Sequence, residues 1–180
     1  MKSLVSRTLT LIIFGLLAFK VAPSAPAAEP LKVGDAAPLV TGTDQDGKEW
    51  KLADVIGKKV VLLYFYPKDF TGGCTKQACS LRDSMSDLQT NNVQVVGVSF
   101  DSAESHTRFI AENKLNFLLV ADTDGKVADA YGARREPEKA MARRISFLIG
   151  LDGKIVAISD ASVDVQVKEM KEAISKTKAS

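Results

Sequence analysis

Residues 64–79 read YFYPKDFTGGCTKQAC and contain both cysteines of the 180-residue chain. The segment begins as an apolar strand, breaks at Pro67, crosses two glycines and then enters a helical pattern. Cys74 is therefore expected near a helix N-terminus, where the backbone dipole favours a thiolate over a thiol. Thr71, three residues earlier, can supply a hydroxyl to the same place. This arrangement is typical of an activated thiolate more than of a structural cysteine.

The spacing of Cys74 and Cys79 argues against a structural disulfide. Residues five apart on one helix differ by about 140° in rotation and by ~7.5 Å in rise, so their Cα atoms lie roughly 8–9 Å apart. Because this exceeds the ~7 Å limit for a disulfide, the pair could bond only after the helix partly unwinds. A bridge across so short a loop would also remove little entropy from the unfolded chain. We interpret the pair as a redox switch.

Residues 1–27 are predicted to be a cleaved secretory signal. Lys2 and Arg7 precede a nine-residue apolar core at 11–19, and residues 25–27 offer an Ala-Pro-Ala cleavage site. The apolar core is much shorter than the ~20 residues that span a bilayer. An uncleaved membrane anchor is the alternative interpretation. The prediction is an exported, periplasmic protein that has no stable membrane association after cleavage.

The remaining chain is predicted to hold a flexible lead-in at 28–32 and one domain at 33–180. Loss of the signal removes Lys2, Arg7 and Lys20, which takes the formal net charge from +2 to −1. Since no basic surplus remains, nucleic acid is not an expected partner.

The apolar periodicity predicts alternating strands and helices. After a β-hairpin at 33–53, strands are predicted at 60–66, 93–100, 117–120, 145–149 and 154–159. Helices are predicted at 75–90, from a capping box at 101–104 to about 114, at 126–131 and at 163–174. Residues 134–142 are predicted to form a charged loop or a frayed turn. This order indicates an α/β fold of the thioredoxin type, in which helices flank a central mixed sheet and a β-hairpin comes first.

Pro67, Thr71 and Cys74 form the motif Pro-x-x-x-Thr-x-x-Cys, and Cys79 follows five residues later. The motif resembles the active-site signature of the peroxiredoxins. The second cysteine resembles that of the bacterioferritin comigratory protein / peroxiredoxin Q subfamily. The similarity extends over about 33–176 and includes the stretches at 97–106 and 144–149. It implies a thioredoxin-like peroxiredoxin fold and a thiol peroxidase that reduces hydrogen peroxide and organic hydroperoxides.

Two positions depart from the subfamily pattern. Gly72 stands where the subfamily often has proline, and Gln77 stands where it often has glutamate. Neither change removes a group that would react. The departures therefore affect the expected rate and leave the expected reaction type as it is.

The resemblance assigns roles to the two cysteines. Cys74 would be the peroxidatic cysteine, whose thiolate attacks a peroxide oxygen and becomes a sulfenic acid. Cys79 would be the resolving cysteine, which condenses with that sulfenic acid to give an intrachain disulfide. The alternatives are a buried inert thiol for Cys74 and a residue of the helix core for Cys79.

Three further residues receive expected roles in the same site. Thr71 would hydrogen-bond the thiolate and the peroxide, and Pro67 would end the strand and shield the pocket from water. Arg144 would direct its guanidinium at Cys74 and stabilise charge developing on the peroxide. Arg143 is the rival candidate, on the opposite face of a strand because side chains alternate. Backbone N–H groups at 73 and 74 would complete a small oxyanion site.

The resemblance also implies the partners. A thioredoxin-like dithiol protein would re-reduce the disulfide, and the protein would be a monomer without a metal or an organic cofactor. His106 is the single histidine of the chain, and its place in a polar helix leads us to interpret it as a solvated surface residue. A zinc or copper site would need more ligands at close spacing.

Other functions on a related fold are weaker matches. An exported thiol–disulfide oxidoreductase would need Cys-x-x-Cys, but four residues separate Cys74 and Cys79. A copper chaperone would need Cys-x-x-x-Cys and a suitably placed histidine, and His106 comes too early in the chain. A purely structural secreted domain would not explain Thr71 or the Gly-rich entry into the helix.

Overall fold

A seven-stranded mixed sheet forms the centre of the fold in the computed structural model, which describes residues 30–135 and 140–177. The strands pair in the order β2-β1-β5-β4-β3-β6-β7. The pairs β3–β4 and β4–β5 are parallel, and the other neighbours are antiparallel. In chain order the strands are β1 (Thr41–Asp44), β2 (Glu49–Lys51), β3 (Val60–Phe65), β4 (Val93–Ser99), β5 (Leu118–Ala121), β6 (Ile145–Ile149) and β7 (Ile155–Ser159).

Helices cover both faces of this sheet, as the α/β prediction requires. A short 3₁₀ turn at Leu52–Asp54 follows the first hairpin. No helix within 30–135 and 140–177 is long and apolar enough to cross a membrane. In chain order the helices are α1 (Gly72–Asp83), α2 (Met85–Thr90), α3 (Ala103–Asn113), α4 (Lys126–Ala130) and α5 (Val163–Thr177).

Strand β3 divides the interior into two apolar clusters because all six of its residues are buried. Side chains of a strand alternate between faces, so Phe65 packs with Trp50 and Phe147 on the face that α4 covers. Tyr64 points to the other face, where α1, α2, α3 and α5 pack. Cys74 belongs to this second cluster. The fold therefore presses the first turn of α1 against the sheet beside the end of β3.

The predicted strands and the thioredoxin-like architecture are confirmed, but the helix predicted at 75–90 is two helices. The first, α1, begins three residues earlier than predicted, at Gly72, and the chain bends at Ser84 before α2. The Ser84 hydroxyl donates a hydrogen bond to the carbonyl of Ser80 at 2.9 Å. Such a back-bond competes with the helical ladder and favours a bend.

The capping box predicted at 101–104 is shifted by one residue. Ser102 is the N-cap of α3, and its side chain accepts a hydrogen bond from the Ser105 N–H at 3.3 Å. Asp101 instead accepts bonds from the Asp69 N–H at 2.9 Å and from the Ser99 hydroxyl at 2.7 Å. The Asp101 carboxylate therefore bonds the loop that precedes α1 and does not cap α3.

The predicted signal at 1–27, and positions 28 and 29 of the predicted lead-in, lie outside the described residues.

Gly97, on β4, is expected to tolerate no side chain. A Cβ atom there would lie 2.6 Å from Leu119 Cδ2 and 2.7 Å from the Tyr64 hydroxyl oxygen, and both neighbours are buried. We expect Gly97→Ala to lower the free energy of unfolding by about 1–3 kcal/mol because overpacking forces neighbours out of their rotamers. Urea denaturation measures the change. Gly72→Ala is the control because its Cβ would meet no atom within 4 Å. An equal loss in both variants would contradict the packing argument.

Candidate active site

The loop between β3 and α1 reverses the chain and delivers Cys74 to the first turn of α1. Pro67 follows β3 closely and cannot donate a ladder hydrogen bond. Phe70 has a φ of 59°, in the left-handed region that residues with side chains seldom adopt. Its ring packs edge-on against Phe109 of α3 with the ring centroids 5.2 Å apart, which holds this conformation. Thr71 then returns to extended backbone as the N-cap of α1.

Cys74 is the third residue of α1 and is 1% exposed. The first N–H groups of a helix have no partner within the helix, so those at Gly72, Gly73 and Cys74 are available to an anion at this end. Cys79 lies on the same helix and is half-buried, and both thiols are free. The two cysteines share one helix, which is the condition of the spacing argument. Regular helix geometry therefore keeps their sulfur atoms from bonding.

The positively charged guanidinium of Arg144 contacts the Cys74 sulfur. Arg144 immediately precedes β6, and its Nη2 donates to Cys74 Sγ at 3.2 Å. A guanidinium stays protonated throughout the physiological pH range, so it stabilises negative charge on that sulfur. Gly73 makes room for this contact, since a Cβ atom there would lie 3.2 Å from Arg144 Nη2.

Arg143, the rival candidate, points away from the cysteine. It is exposed, donates to the Gly132 carbonyl at 3.4 Å and pairs with Asp160 at 3.5 Å. The two arginines face opposite sides because side chains alternate along extended backbone. The structure thus brings Arg144 to the site and leaves Arg143 at the surface.

A side chain of α1 also binds the guanidinium of Arg144. Arg144 Nη1 donates to the side-chain oxygen of Gln77, one turn after Cys74 on α1, at 2.5 Å. Gln77 is 1% exposed. The sequence drew attention to this position only as a departure from a subfamily pattern. The structure makes it a direct contact of the arginine that touches the sulfur.

Thr71 and Pro67 belong to the loop that leads to Cys74. The Thr71 hydroxyl donates to the Lys68 carbonyl at 3.0 Å, which leaves its oxygen free to accept. No hydrogen bond joins that hydroxyl to Cys74 Sγ in the described part of the chain. Pro67 is half-buried at the edge of a cleft of about 240 Å³ that Phe100 and Met141 also line. The roles expected for these two residues stay predictions.

A buried ionisable pair supports the same loop, and the sequence interpretation of His106 as a surface residue is wrong. His106 is 0% exposed, and its Nδ1 lies 2.9 Å from Asp69 Oδ2. Its Nε2 faces the Val120 carbonyl at 3.2 Å. Tyr66 and Ser105 donate their hydroxyls to the two oxygens of Asp69, each at 2.8 Å. Asp69 thereby ties the loop to α3 and to the sheet.

The sequence contained a signal for this burial. His106 precedes Phe109 and Ile110 by three and four residues, which puts all three on one helical stripe. Phe109 is fully buried, and Ile110 packs against the same cluster. The polar residues around His106 hid that stripe, and the partner Asp69 lies 37 positions away.

The pKa of Asp69 reflects two opposing effects. Burial acts to raise it, but hydrogen bonds and charge from His106, with bonds from Ser105 and Tyr66, outweigh burial and lower it. Burial raises the pKa of Tyr66 well above its ordinary value, so this phenol is a hydrogen-bond donor at physiological pH. Among residues 30–135 and 140–177, no group of three or more His, Cys, Asp or Glu side chains could hold a metal ion.

Comparison with known proteins shows the family to which the chain belongs. The sequence profile of the AhpC/TSA family matches residues 33–158, which is most of the chain. The chain belongs to the AhpC/TSA family. Escherichia coli K12 peroxiredoxin Bcp is 45% identical over 137 residues, covering 73% of this chain and 86% of that protein. A putative peroxiredoxin bcp of Coxiella burnetii is 39% identical over 146 residues, covering 78% and 96%.

Solved structures of the same family have the same fold. Peroxidoxin BcpB from Mycobacterium tuberculosis superposes with a TM-score of 0.77 at 27% identity, covering 81% of this chain and 97% of that one. A cysteine-to-serine variant of Xylella fastidiosa PrxQ gives a TM-score of 0.76 at 26% identity, covering 85% and 100%. The chain is therefore a thiol peroxidase of the bacterioferritin comigratory protein / peroxiredoxin Q group, an oxidoreductase. These relatives do not favour the disulfide-exchange or copper-chaperone alternatives.

The Asp69–His106 pair is expected to make stability depend on pH. Because the pKa of Asp69 is lowered in the folded protein, its stabilisation is complete above the unfolded value of about 3.9 and is lost as the pH falls through the folded value. We expect Asp69→Asn to cost about 1–3 kcal/mol at pH 7, since it removes a carboxylate oxygen that buried groups bond, and less below pH ~4. Urea unfolding across pH 3–7 measures both effects.

Asp160→Asn is the matched control for this experiment. Asp160 pairs with Arg143 at the surface, and its side chain is 68% exposed. Exposed pairs contribute little, so we expect a change of at most about 1 kcal/mol at any of these pH values. A loss at Asp69→Asn no larger than this control, or one independent of pH, would contradict the buried-pair interpretation.

Proposed function

We propose that this peroxiredoxin reduces hydrogen peroxide and organic hydroperoxides through a sulfenic acid on Cys74, which Cys79 resolves as an intrachain disulfide. The observation that carries the proposal is the 3.2 Å contact between Arg144 Nη2 and Cys74 Sγ at the N-terminus of α1. A guanidinium contacts this thiol, which is shielded from solvent in the first turn of a helix, where the leading N–H groups have no partner within the helix. This is the environment that a nucleophilic sulfur needs.

In the first step, the Cys74 thiolate attacks the nearer oxygen of the hydroperoxide. The S–O bond forms as the O–O bond breaks, sulfur is oxidised to the sulfenic acid, and the departing alkoxide or hydroxide takes up a proton to leave as alcohol or water. Arg144 and the first N–H groups of α1 would stabilise the charge that develops on the two oxygens. The Thr71 hydroxyl oxygen would accept a hydrogen bond from the incoming peroxide.

In the second step, the Cys79 thiolate attacks the sulfur of the Cys74 sulfenic acid. A disulfide forms, and the sulfenic hydroxyl leaves as water after taking up one proton. Since both cysteines lie on α1, this step requires the helix to unwind between them. The bond from Cys79 Sγ to Asn113 Oδ1, at 4.0 Å, is weak and places little restraint on that movement.

In the third step, a thioredoxin-like dithiol protein reduces the disulfide by thiol–disulfide exchange and itself becomes oxidised. We also propose that the protein acts in the periplasm as a monomer after loss of residues 1–27, and that it uses no metal or organic cofactor. Its dithiol donor would then receive electrons from a membrane-fed thiol relay, because cytosolic thioredoxin does not reach that compartment. The basic n-region, short apolar core and Ala-Pro-Ala site support this part of the proposal.

Intact mass spectrometry after one equivalent of hydrogen peroxide tests the two cysteine roles. We expect the parent protein to lose two hydrogens and Cys79→Ser to gain one oxygen, because its sulfenic acid has no resolving thiol. The mass of Cys74→Ser should not change on treatment with peroxide. If the parent and Cys79→Ser both retain free thiols, the peroxidase mechanism fails.

Arg144→Met should slow the first step without removing the nucleophile. We expect the second-order rate constant with peroxide to fall about 10²–10³-fold, the usual loss when one preorganised donor is removed from developing oxyanion charge. Stopped-flow kinetics measures this constant. Arg143→Met removes an exposed neighbouring charge that does not touch Cys74 and should change the rate by less than about twofold. Equal losses in both variants would show that net charge, and not contact with sulfur, sets the rate.

A further inference from the structure

Two buried glutamines connect the reactive cysteine to the C-terminal helix. Gln77 lies on α1 between the two cysteines, and Gln166 lies on α5. Each is 1% exposed. Burying a side-chain amide costs free energy unless it is hydrogen-bonded, so buried amides have partners. The partners of Gln77 and Gln166 show which groups these two side chains hold in place.

The two amides and Arg144 form a closed ring of hydrogen bonds. The guanidinium of Arg144 donates to Gln77 Oε1, and Gln77 Nε2 donates to Gln166 Oε1 at 2.8 Å. Gln166 Nε2 then donates to the backbone carbonyl of Arg144 at 3.1 Å. The Ser146 hydroxyl gives Gln166 Oε1 a second bond at 3.0 Å. Gln166 therefore fixes the backbone of Arg144 directly and its guanidinium through Gln77.

The ring orients the guanidinium without neutralising it. Amides carry no net charge, whereas a carboxylate in the place of Gln77 would share the positive charge of Arg144. Within the described ranges, no hydrogen bond or ion pair joins Arg144 to a carboxylate. Its other side-chain contact is Cys74 Sγ. Among the described residues, the positive charge that contacts the sulfur is therefore not paired with a carboxylate.

The same ring resists the unwinding of α1. Gln77 follows Cys74 by three residues and precedes Cys79 by two. Any unwinding that brings the two sulfur atoms together must move Gln77, because Gln77 belongs to the helical segment between the cysteines that would unwind. Its bonds to Arg144 and to Gln166 must then break. The contacts that prepare Cys74 for peroxide therefore oppose formation of the disulfide.

We propose that Gln166, acting through Gln77, is a positioning residue that sets the balance between the two oxidative steps. It holds Arg144 on the Cys74 sulfur during attack on peroxide, and it delays release of α1 for resolution by Cys79. This inference rests on the proposed function, because it requires a sulfenic acid that a second cysteine resolves.

A surface contact between the same two helices provides a matched control. Lys76 Nζ pairs with Asp164 Oδ2 at 2.7 Å, with the side chains 59% and 69% exposed. The pair also joins α1 to α5, but it touches neither Arg144 nor the cysteines. Lys76→Met removes this link and leaves the buried ring intact.

The test follows both steps in one time course on the full chain. Gln166→Leu, Lys76→Met and the parent are mixed with hydrogen peroxide, quenched at millisecond intervals and analysed by intact mass. The species that has gained one oxygen reports attack on peroxide, and the species that has lost two hydrogens reports the disulfide. For Gln166→Leu we expect attack to slow and disulfide formation to accelerate, each on the order of tenfold for the loss of buried hydrogen bonds. For Lys76→Met we expect changes below about twofold.

Opposite changes in Gln166→Leu, with both steps near the parental rates in Lys76→Met, support the proposal, because the surface contact between α1 and α5 would then have no such effect. Parental rates in Gln166→Leu, or any pair of changes in the same direction, would overturn it. If Gln166→Leu does not fold, Gln166→Glu serves instead. It keeps the side-chain size and the acceptor oxygen but loses the donor to the Arg144 carbonyl, and the same opposite changes are expected at about threefold. A parent that gains no oxygen and forms no disulfide would instead refute the proposed function itself.

Discussion

The antiparallel pairing of β6 with β3 fixes the whole active site, because it determines which residue reaches the cysteine. Phe65, the last residue of β3, pairs with Ile145, the first of β6. Arg144 therefore lies level with the point where the chain leaves β3 for the loop that leads to Cys74. A slip of one residue would exchange the faces of β6 and would direct the side chain of Arg143 to that place. The buried residues of both strands make such a slip costly, so the position of one guanidinium depends on packing across the centre of the sheet.

Much of this architecture could be predicted from local patterns. The apolar runs of β3, β4 and β6 are buried on both faces, and such strands are conspicuous in a sequence. The turn between β6 and β7 has Gly153 at a φ of 77°, a conformation that glycine favours. The entry into α1 differs from the predicted glycine-containing turn, because the left-handed residue is Phe70 and Gly72 and Gly73 lie within the helix. The bend at Ser84 was missed because its cause is one hydroxyl that bonds a carbonyl within the helix, and the apolar spacing continues across it. Periodicity reports which face is buried; it does not report whether the backbone bends.

The site shows the same division between local and distant information. Cys74, Thr71 and Pro67 share one short motif. Alternation along a strand separates Arg144 from Arg143, and the family resemblance at 144–149 favours Arg144. The buried pair of Asp69 with His106 joins residues 37 positions apart, and the bond between Gln77 and Gln166 spans 89 positions. Each partner alone is an ordinary polar residue of a helix or a loop. Only the folded chain shows that these residues are buried and what they hold, and both contacts fix groups close to the reactive sulfur.

The edges of the sheet matter because the proposed mechanism would open the first helix in every reaction cycle. Unwinding of α1 would uncover Ala78 and Leu81, which belong to the apolar cluster on that side of the sheet. Transiently exposed apolar surface favours self-association, and unpaired strand edges are the usual templates for it. One edge here, β2, is only three residues long and carries the charged pair of Glu49 and Lys51. So short and charged an edge offers little to a second chain, which would protect the open form from aggregation while its disulfide is made and reduced.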